Sequence, residues 1–223
     1  MEYALIPRIR HMSIRFQDRK QAGQLLAEKL AHFAGRAEVL VLGVPRGGVV
    51  VASEVARRLQ AALDAFLVRK LGVPGHEELA MGAVATGGIC FVNDNVIRSL
   101  GIKREVLDKT IARERRELEQ REQIFRIAAP LELVNRVVVL VDDGLATGAT
   151  MRAAVMAVRE RHPARVIVAA PVAARETYND FTKLADEIVC VQVPEDFEGV
   201  GQWYEDFTQT TDEEVRRLLE EGA

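Results

Sequence analysis

The stretch Val137-Val138-Val139-Leu140-Val141-Asp142-Asp143-Gly144-Leu145-Ala146-Thr147-Gly148-Ala149-Thr150 decides how this chain reads. An unbroken apolar, β-branched run is the pattern of a strand buried on both faces. Two adjacent carboxylates stand where that strand ends. A loop of small residues follows, and a helix carried by Met151, Val155 and Val158 begins near Ala149. In open α/β sheets, ligands bind at the carboxyl ends of the strands. A small-residue loop running into a helix N-terminus offers unpaired N–H groups and the positive end of the dipole, which suits a phosphate. Thr147 and Thr150 add hydroxyl donors. Asp142 and Asp143 repel a phosphate; they suit the hydroxyls of a sugar or a metal ion. The plain alternative is a buried strand with an ordinary turn, yet two aspartates at a buried strand end are costly unless used. No Gly-Lys-Ser/Thr is present, which excludes a Walker A loop.

Working outward, Val39–Gly43 reads as another buried strand. It runs into Pro45-Arg46-Gly47-Gly48 and then an apolar helix from Val49 to Leu59. This is a second Gly-rich turn between strand and helix, now with a cation able to fork onto phosphate oxygens. Alone it reads as a tight turn with a surface arginine; beside the first loop it favours anion binding. Ala65–Val68 is the next expected strand, ending in Arg69 and Lys70. Residues 71–92 are glycine-rich. Met81–Ala85 and Ile89–Val92 form an expected hairpin around Thr86-Gly87-Gly88, and Leu71–Leu79 reads as a mobile loop.

The flanks supply helices. Asp18 and Gln21 suit a helix start, with Ala22, Leu25, Leu26, Leu30 and Phe33 at helical spacing and Gly35 at the end. Asn93 caps a short helix closed by Gly101. Lys103–Arg126 is a long charged helix with a narrow stripe of Leu107, Ile111, Leu118 and Phe125, ended by Pro130. It reads as a solvated helix lying across the sheet rather than a partner seam. Glu105–Lys109, Glu117–Arg121 and Glu122–Arg126 have the favourable pair order. Val166–Ala170 and Ile188–Val191 are further strands around a helix from Arg175 to Ala185. Thr211 and Glu214 mark a last helix. The alternation is that of a doubly wound α/β fold with a mostly parallel central sheet flanked by helices.

Composition narrows the function. The chain has 223 residues, 48% hydrophobic and 28% charged, with a net charge of −3. That suits a single globular domain and gives no basic footprint for nucleic acid. Aromatic residues make up 5%, too few for stacking platforms. Cys90, Cys190 and four scattered histidines make no metal-ligand spacing, and the two cysteines read as the reduced core thiols of a cytoplasmic protein. Residues 1–20 carry five cations without an apolar core, so no signal peptide is expected, nor any membrane span.

Strand, two acids and a Thr/Gly/Ala phosphate loop together resemble the phosphoribosyl pyrophosphate (PRPP) motif of the type I phosphoribosyltransferases. Residues 137–150 carry most of that resemblance, with Gly144 and Ala146 departing from the usual aliphatic and hydroxyl residues. Gly43–Gly48, Val68–Gly72 and Glu78–Val84 are most similar to a group of bacterial predicted phosphoribosyltransferases whose acceptor is not established. The resemblance implies one domain: a core of about 36–194, a hood from about 1–17 and 195–223, and a helical insertion at about 94–129. It implies transfer of 5-phosphoribosyl from PRPP to a nucleobase-like or other heterocyclic acceptor, with release of pyrophosphate. Mg²⁺ would be held mainly by PRPP, with Asp142 and Asp143 near it. These two acids would be catalytic and hold the ribose hydroxyls. Ala146, Thr147, Gly148, Ala149 and Thr150 would cradle the 5′-phosphate. Arg46, Gly47, Arg69 and Lys70 would bind pyrophosphate, and Glu195, Phe197 and Trp203 the acceptor. The loop after the second strand would close over the reaction, though it has no Lys or Arg between Gly72 and Gly88. A homodimer is the family default. The alternative is a non-catalytic regulatory protein that binds PRPP or a nucleotide.

Overall fold

The computed structural model describes residues 14–125 and 132–222. Five strands form a parallel sheet: β1 (Val39–Gly43), β2 (Ala62–Ala65), and the later β6 (Val137–Val141), β7 (Arg165–Val172) and β8 (Glu187–Gln192), in spatial order β2-β1-β6-β7-β8. A three-stranded antiparallel sheet, β3 (Val68–Val73), β4 (His76–Ala85) and β5 (Ile89–Val92), stands beside it. The helices are α1 (Arg19–Lys29), α2 (Gly47–Leu59), α3 (Asp94–Ser99), α4 (Arg104–Phe125), α5 (Ala149–Arg159), α6 (Arg175–Leu184) and α7 (Asp212–Glu221).

The strand pleat sorts the core onto two faces. Leu40, Leu42, Val138, Leu140, Val166 and Val168 turn to one side and pack on Met151, Val155, Val158 and Phe181 of α5 and α6. Val39, Val41, Val137, Val139 and Ile167 turn to the other and meet Leu26 of α1, Leu30 just after it, and Val51, Val55 and Leu59 of α2. Continuous apolar runs serve here because both faces are covered. β1 and β6 are in register, Gly43 opposite Val141. The helix after β1 packs on one face and the helix after β6 on the other, so the two loops diverge between these neighbours. That is the topological switch point of the sheet, where such folds hold their ligands.

Two expectations need correction. Ala65–Val68 is not one strand: Ala65 ends β2, paired with Gly43, while Val68 opens β3, paired with Ala85. The apolar run is continuous because Phe66 and Leu67 are buried in the bend between the sheets. Arg69 and Lys70 therefore lie inside an antiparallel strand, not at the carboxyl end of a parallel one. The expected loop Leu71–Leu79 is also mostly strand, since β3 and β4 meet through a tight turn at Pro74-Gly75, with Gly75 at φ 80°. Leu71, Val73 and Met81 bury themselves with Leu107 of α4, and this alternation outweighs the local glycine content.

Helix α1 starts as its sequence predicts, the Asp18 carboxylate accepting from Gln21 N at 2.8 Å. Thr211 caps α7 through Glu214 N. α4 lays Leu107, Leu118 and Phe125 inward and leaves most of its charges outside. Ion pairs along it include Arg104–Asp108 and Arg113–Glu114. Arg126, Pro130 and the first thirteen residues of the expected hood lie outside the described residues. Residues 14–17 join the tail: Phe16 N donates to Trp203 O at 2.8 Å, Glu205 N donates to Phe16 O at 2.8 Å, and Phe16 and Tyr204 share a buried cluster. Among the described residues no helix is long and apolar enough to cross a membrane.

Candidate functional site

Asp142 and Asp143 leave the carboxyl end of β6 at the switch point. Asp142 turns back on its own chain, its Oδ1 accepting from Asp143 N at 2.8 Å. The turn after β1 lies directly against them, and its Pro45–Arg46 peptide is cis. A Cβ on Gly47 would stand 2.0 Å from Asp143 Oδ2, and one on Gly48 would stand 2.8 Å from the Val141 carbonyl. Both glycines are thus required by close approach. The first two positions of α2 sit beside the acids, bringing a helix N-terminus to the crevice.

The loop after the acids is open. Ala146, Thr147, Ala149 and Thr150 are exposed. Gly148, at φ 69°, caps α5, and a Cβ there would press on Phe181 and Thr177. The Thr177 hydroxyl donates to the Ala146 carbonyl. Leu145 bridges to β7, its N–H donating to Val172 O and its carbonyl accepting from Ala174 N, both at 2.9 Å. The loop is therefore pinned at Leu145 and Ala146, and the N-terminal turn of α5 faces outward with its amides in an anion-binding arrangement. Gly144, which departs from the usual aliphatic residue, has a packing reason: a Cβ there would lie 2.4 Å from Val200 Cγ1. The tail supplies the bulk that the loop lacks.

Burial pushes the Asp142 carboxyl well above the ordinary range, and the neighbouring Asp143 charge adds to this. Burial raises Asp143 as well, opposed by a cation that the sequence reading did not single out. Arg19, at the start of α1, donates from Nε to Asp143 Oδ2 at 2.7 Å. Its Nη1 donates to Thr208 O at 2.8 Å, and its guanidinium lies 3.9 Å from the Phe207 ring centroid. Tyr204 donates its hydroxyl to the Asp143 carbonyl at 2.6 Å. Burial raises this phenol far above its usual value, so it stays a donor. Arg19 and Tyr204 reach Asp143 from distant parts of the chain, Thr208 holds Arg19 and Val200 packs on Gly144, and no local motif announces them.

The expected anion-binding cations separate. Arg46 stays at the site and faces Asp212 at 3.6 Å. Arg69 does not turn to it: Nε donates to Glu114 Oε2 at 2.8 Å, and Glu117 takes the same guanidinium. Its neighbour Lys70 lies on the opposite face of β3, the face on which Val68 packs against the cluster containing Met151. Of the acceptor candidates, Phe197 and Trp203 stack on each other with centroids 6.5 Å apart, while Glu195 is exposed and paired with Arg175.

The donor set fits a metal ion that arrives with its ligand. Asp142 Oδ2 and Asp143 Oδ1 are hard oxygens without a hydrogen-bond partner among the described residues, and no group of three or more ligating side chains occurs there. Mg²⁺ keeps several waters and binds through few carboxylates plus phosphate oxygens.

These features have counterparts in known proteins. A family model described as a phosphoribosyl transferase domain matches residues 75–208. Two Mycobacterium tuberculosis proteins, from strains CDC 1551 and H37Rv, are 44% identical over 206 residues; each is provisionally named a phosphoribosyl transferase. The match takes in 92% of this chain and 46% of theirs, so the chain spans about half the length of these curated relatives. The crystal structure of TT1426 from Thermus thermophilus superposes with a TM-score of 0.86 at 47% identity, covering 94% of this chain and 100% of that one. A switch-point crevice with paired acids and two phosphate-type loops, together with these matches, places the chain in one family: it belongs to the phosphoribosyl transferases, with a type I fold.

Proposed function

We propose that the crevice binds PRPP and that the protein transfers its 5-phosphoribosyl group to a nucleobase-like or other heterocyclic acceptor, releasing pyrophosphate. The observation that carries this reading is the juxtaposition of Asp142 and Asp143 with an open helix N-terminus on one side and the Arg46–Gly48 turn on the other. The acids accept from the ribose hydroxyls. Ala146–Thr150 receives the 5′-phosphate, and Arg46 with the Gly47 amide holds the pyrophosphate. Lys70 remains a candidate for the same anion; Arg69, paired with Glu114 and Glu117, is left out of this reading.

Mg²⁺, when bound, offsets charge on the pyrophosphate. The chain's own part is to hold phosphate, ribose and leaving group in line and to keep fixed dipoles around a charge-separating transition state. Tyr204 and Arg19 fix Asp143 before the ligand arrives, so little reorganisation remains for the reaction. The stacked Phe197–Trp203 pair, on the tail segment that also packs Val200 over Gly144, is our candidate for the acceptor side. On the same reading the protein works as a cytoplasmic homodimer.

The test is Mg²⁺-dependent pyrophosphate release from PRPP with a pool of purine, pyrimidine and other heterocyclic acceptors, comparing wild type with Asp142→Asn/Asp143→Asn. Release that needs both an acceptor and the carboxylates establishes the transferase, and dividing the pool names the substrate. PRPP binding without release from any pool would instead favour a regulatory binder.

A further inference from the structure

The phosphate side of this site is short of cations once Arg69 is tied to Glu114 and Glu117. Arg19 makes up the shortfall. A cation in the first turn of a helix stands against the helix dipole, offset at the start of α1 by the Asp18 cap alone. Nothing in α1 itself favours an arginine at this position. The crevice does.

The side chain is 11% exposed and spans three elements: Nε on Asp143, Nη1 on the Thr208 carbonyl, and the guanidinium face on Phe207. A plain ion pair needs neither of the other two contacts. Together they fix the plane of the guanidinium, so its remaining nitrogen is held in one direction. The edge is not used up. Nη2 has no hydrogen-bond partner among the described residues. The same group borders the turn that the proposed function assigns to pyrophosphate, since a Cβ on Gly47 would stand 2.6 Å from Arg19 Nε. Arg19 thus holds Asp143 and lies against the anion loop at once.

We propose that Arg19 is a direct ligand of the pyrophosphate group: Nε keeps Asp143 oriented while Nη2 donates to a phosphate oxygen held at the Arg46–Gly48 turn. Through this one residue the ribose acids and the leaving group are set relative to each other. The inference rests on the PRPP reading of the crevice and adds a binding residue from outside both phosphate loops.

A merely structural role would act through Asp143 alone, and a double-mutant comparison separates the two. Inorganic pyrophosphate with Mg²⁺ is titrated calorimetrically into wild type, Asp143→Asn, and Asp143→Asn/Arg19→Gln, each first shown to be folded by thermal unfolding. In the Asp143→Asn background the carboxylate that Arg19 holds is gone, and Asp142, present in both variants, cancels from the comparison. Direct contact predicts a loss of about tenfold or more in pyrophosphate affinity from Asp143→Asn to the double variant, as for loss of one charge-assisted hydrogen bond. Equal affinity of these two overturns the proposal. An independent reading needs no variant to fold: the Arg19 side-chain resonances of the wild type should shift on adding pyrophosphate, and their constancy at saturation also overturns it. Absence of any pyrophosphate or PRPP binding by the wild type would defeat the PRPP reading itself, and this inference with it.

Discussion

Asp142 is held where its charge is least comfortable, partly buried and next to a second carboxylate. A carboxyl whose folded pKa exceeds its unfolded value takes up a proton on folding. Such a group costs nothing below the unfolded range near pH ~4, and its cost grows as pH rises toward the folded value. Asp142→Asn keeps an Oδ1 acceptor for Asp143 N and removes the charge. It should therefore stabilise the ligand-free protein at pH 7 by about 0.5–2 kcal/mol. Thermal unfolding as a function of pH checks this: the gap between variant and wild type should shrink as pH falls toward ~4, and a gap independent of pH would contradict it. Gly144 makes a second residue-level case. Gly144→Ala should cost about 1–3 kcal/mol by overpacking against Val200, and Val200→Ala should recover most of that loss in a double-mutant cycle by urea denaturation.

At the scale of elements, the tail and α4 are docked by a few polar contacts laid over apolar packing. Tyr204→Phe leaves its ring with Phe16 but removes the donor to the Asp143 carbonyl. A loss of about 0.5–1.5 kcal/mol in unfolding free energy is expected. Arg69→Gln should act on the seat of α4. Glu114 is buried and would keep only Arg113 of its two cations, so a fall of about 1–3 kcal/mol is expected, read as a lower midpoint in urea. These elements also show what the sequence discloses. β6 and its loop are legible because buried strand, acids, small-residue loop and helix follow one another within fourteen residues. The bend at Phe66-Leu67 is hidden because burial between two sheets looks like burial within one. The 71–79 hairpin reads as a loop because its glycines and proline outweigh a short alternation whose partner, Leu107, lies on α4. The partners of Arg69 are invisible for a similar reason, Glu114 being 45 positions away.

For the whole molecule, strand order rather than any single motif makes the site. β1 and β6 are neighbours whose helices leave on opposite faces, so the chain must open a crevice there, and both phosphate-type loops border it. The doubly wound pattern is readable from alternating strands and helices. The contribution of Arg19 is not, because it meets Asp143 across 124 positions of sequence and only the folded chain brings them together. The same separation lets α1, the β1–α2 turn, the β6–α5 loop and the tail converge on two carboxylates. The central claim is that these carboxylates serve a sugar phosphate. It is tested most directly by calorimetric titration of PRPP with Mg²⁺ into wild type and Asp142→Asn/Asp143→Asn. Saturable binding by the wild type, weakened about a hundredfold or more in the folded variant as charge-assisted hydrogen bonds to two acids are lost, is the predicted result. Equal affinity of the two proteins for PRPP would contradict the account.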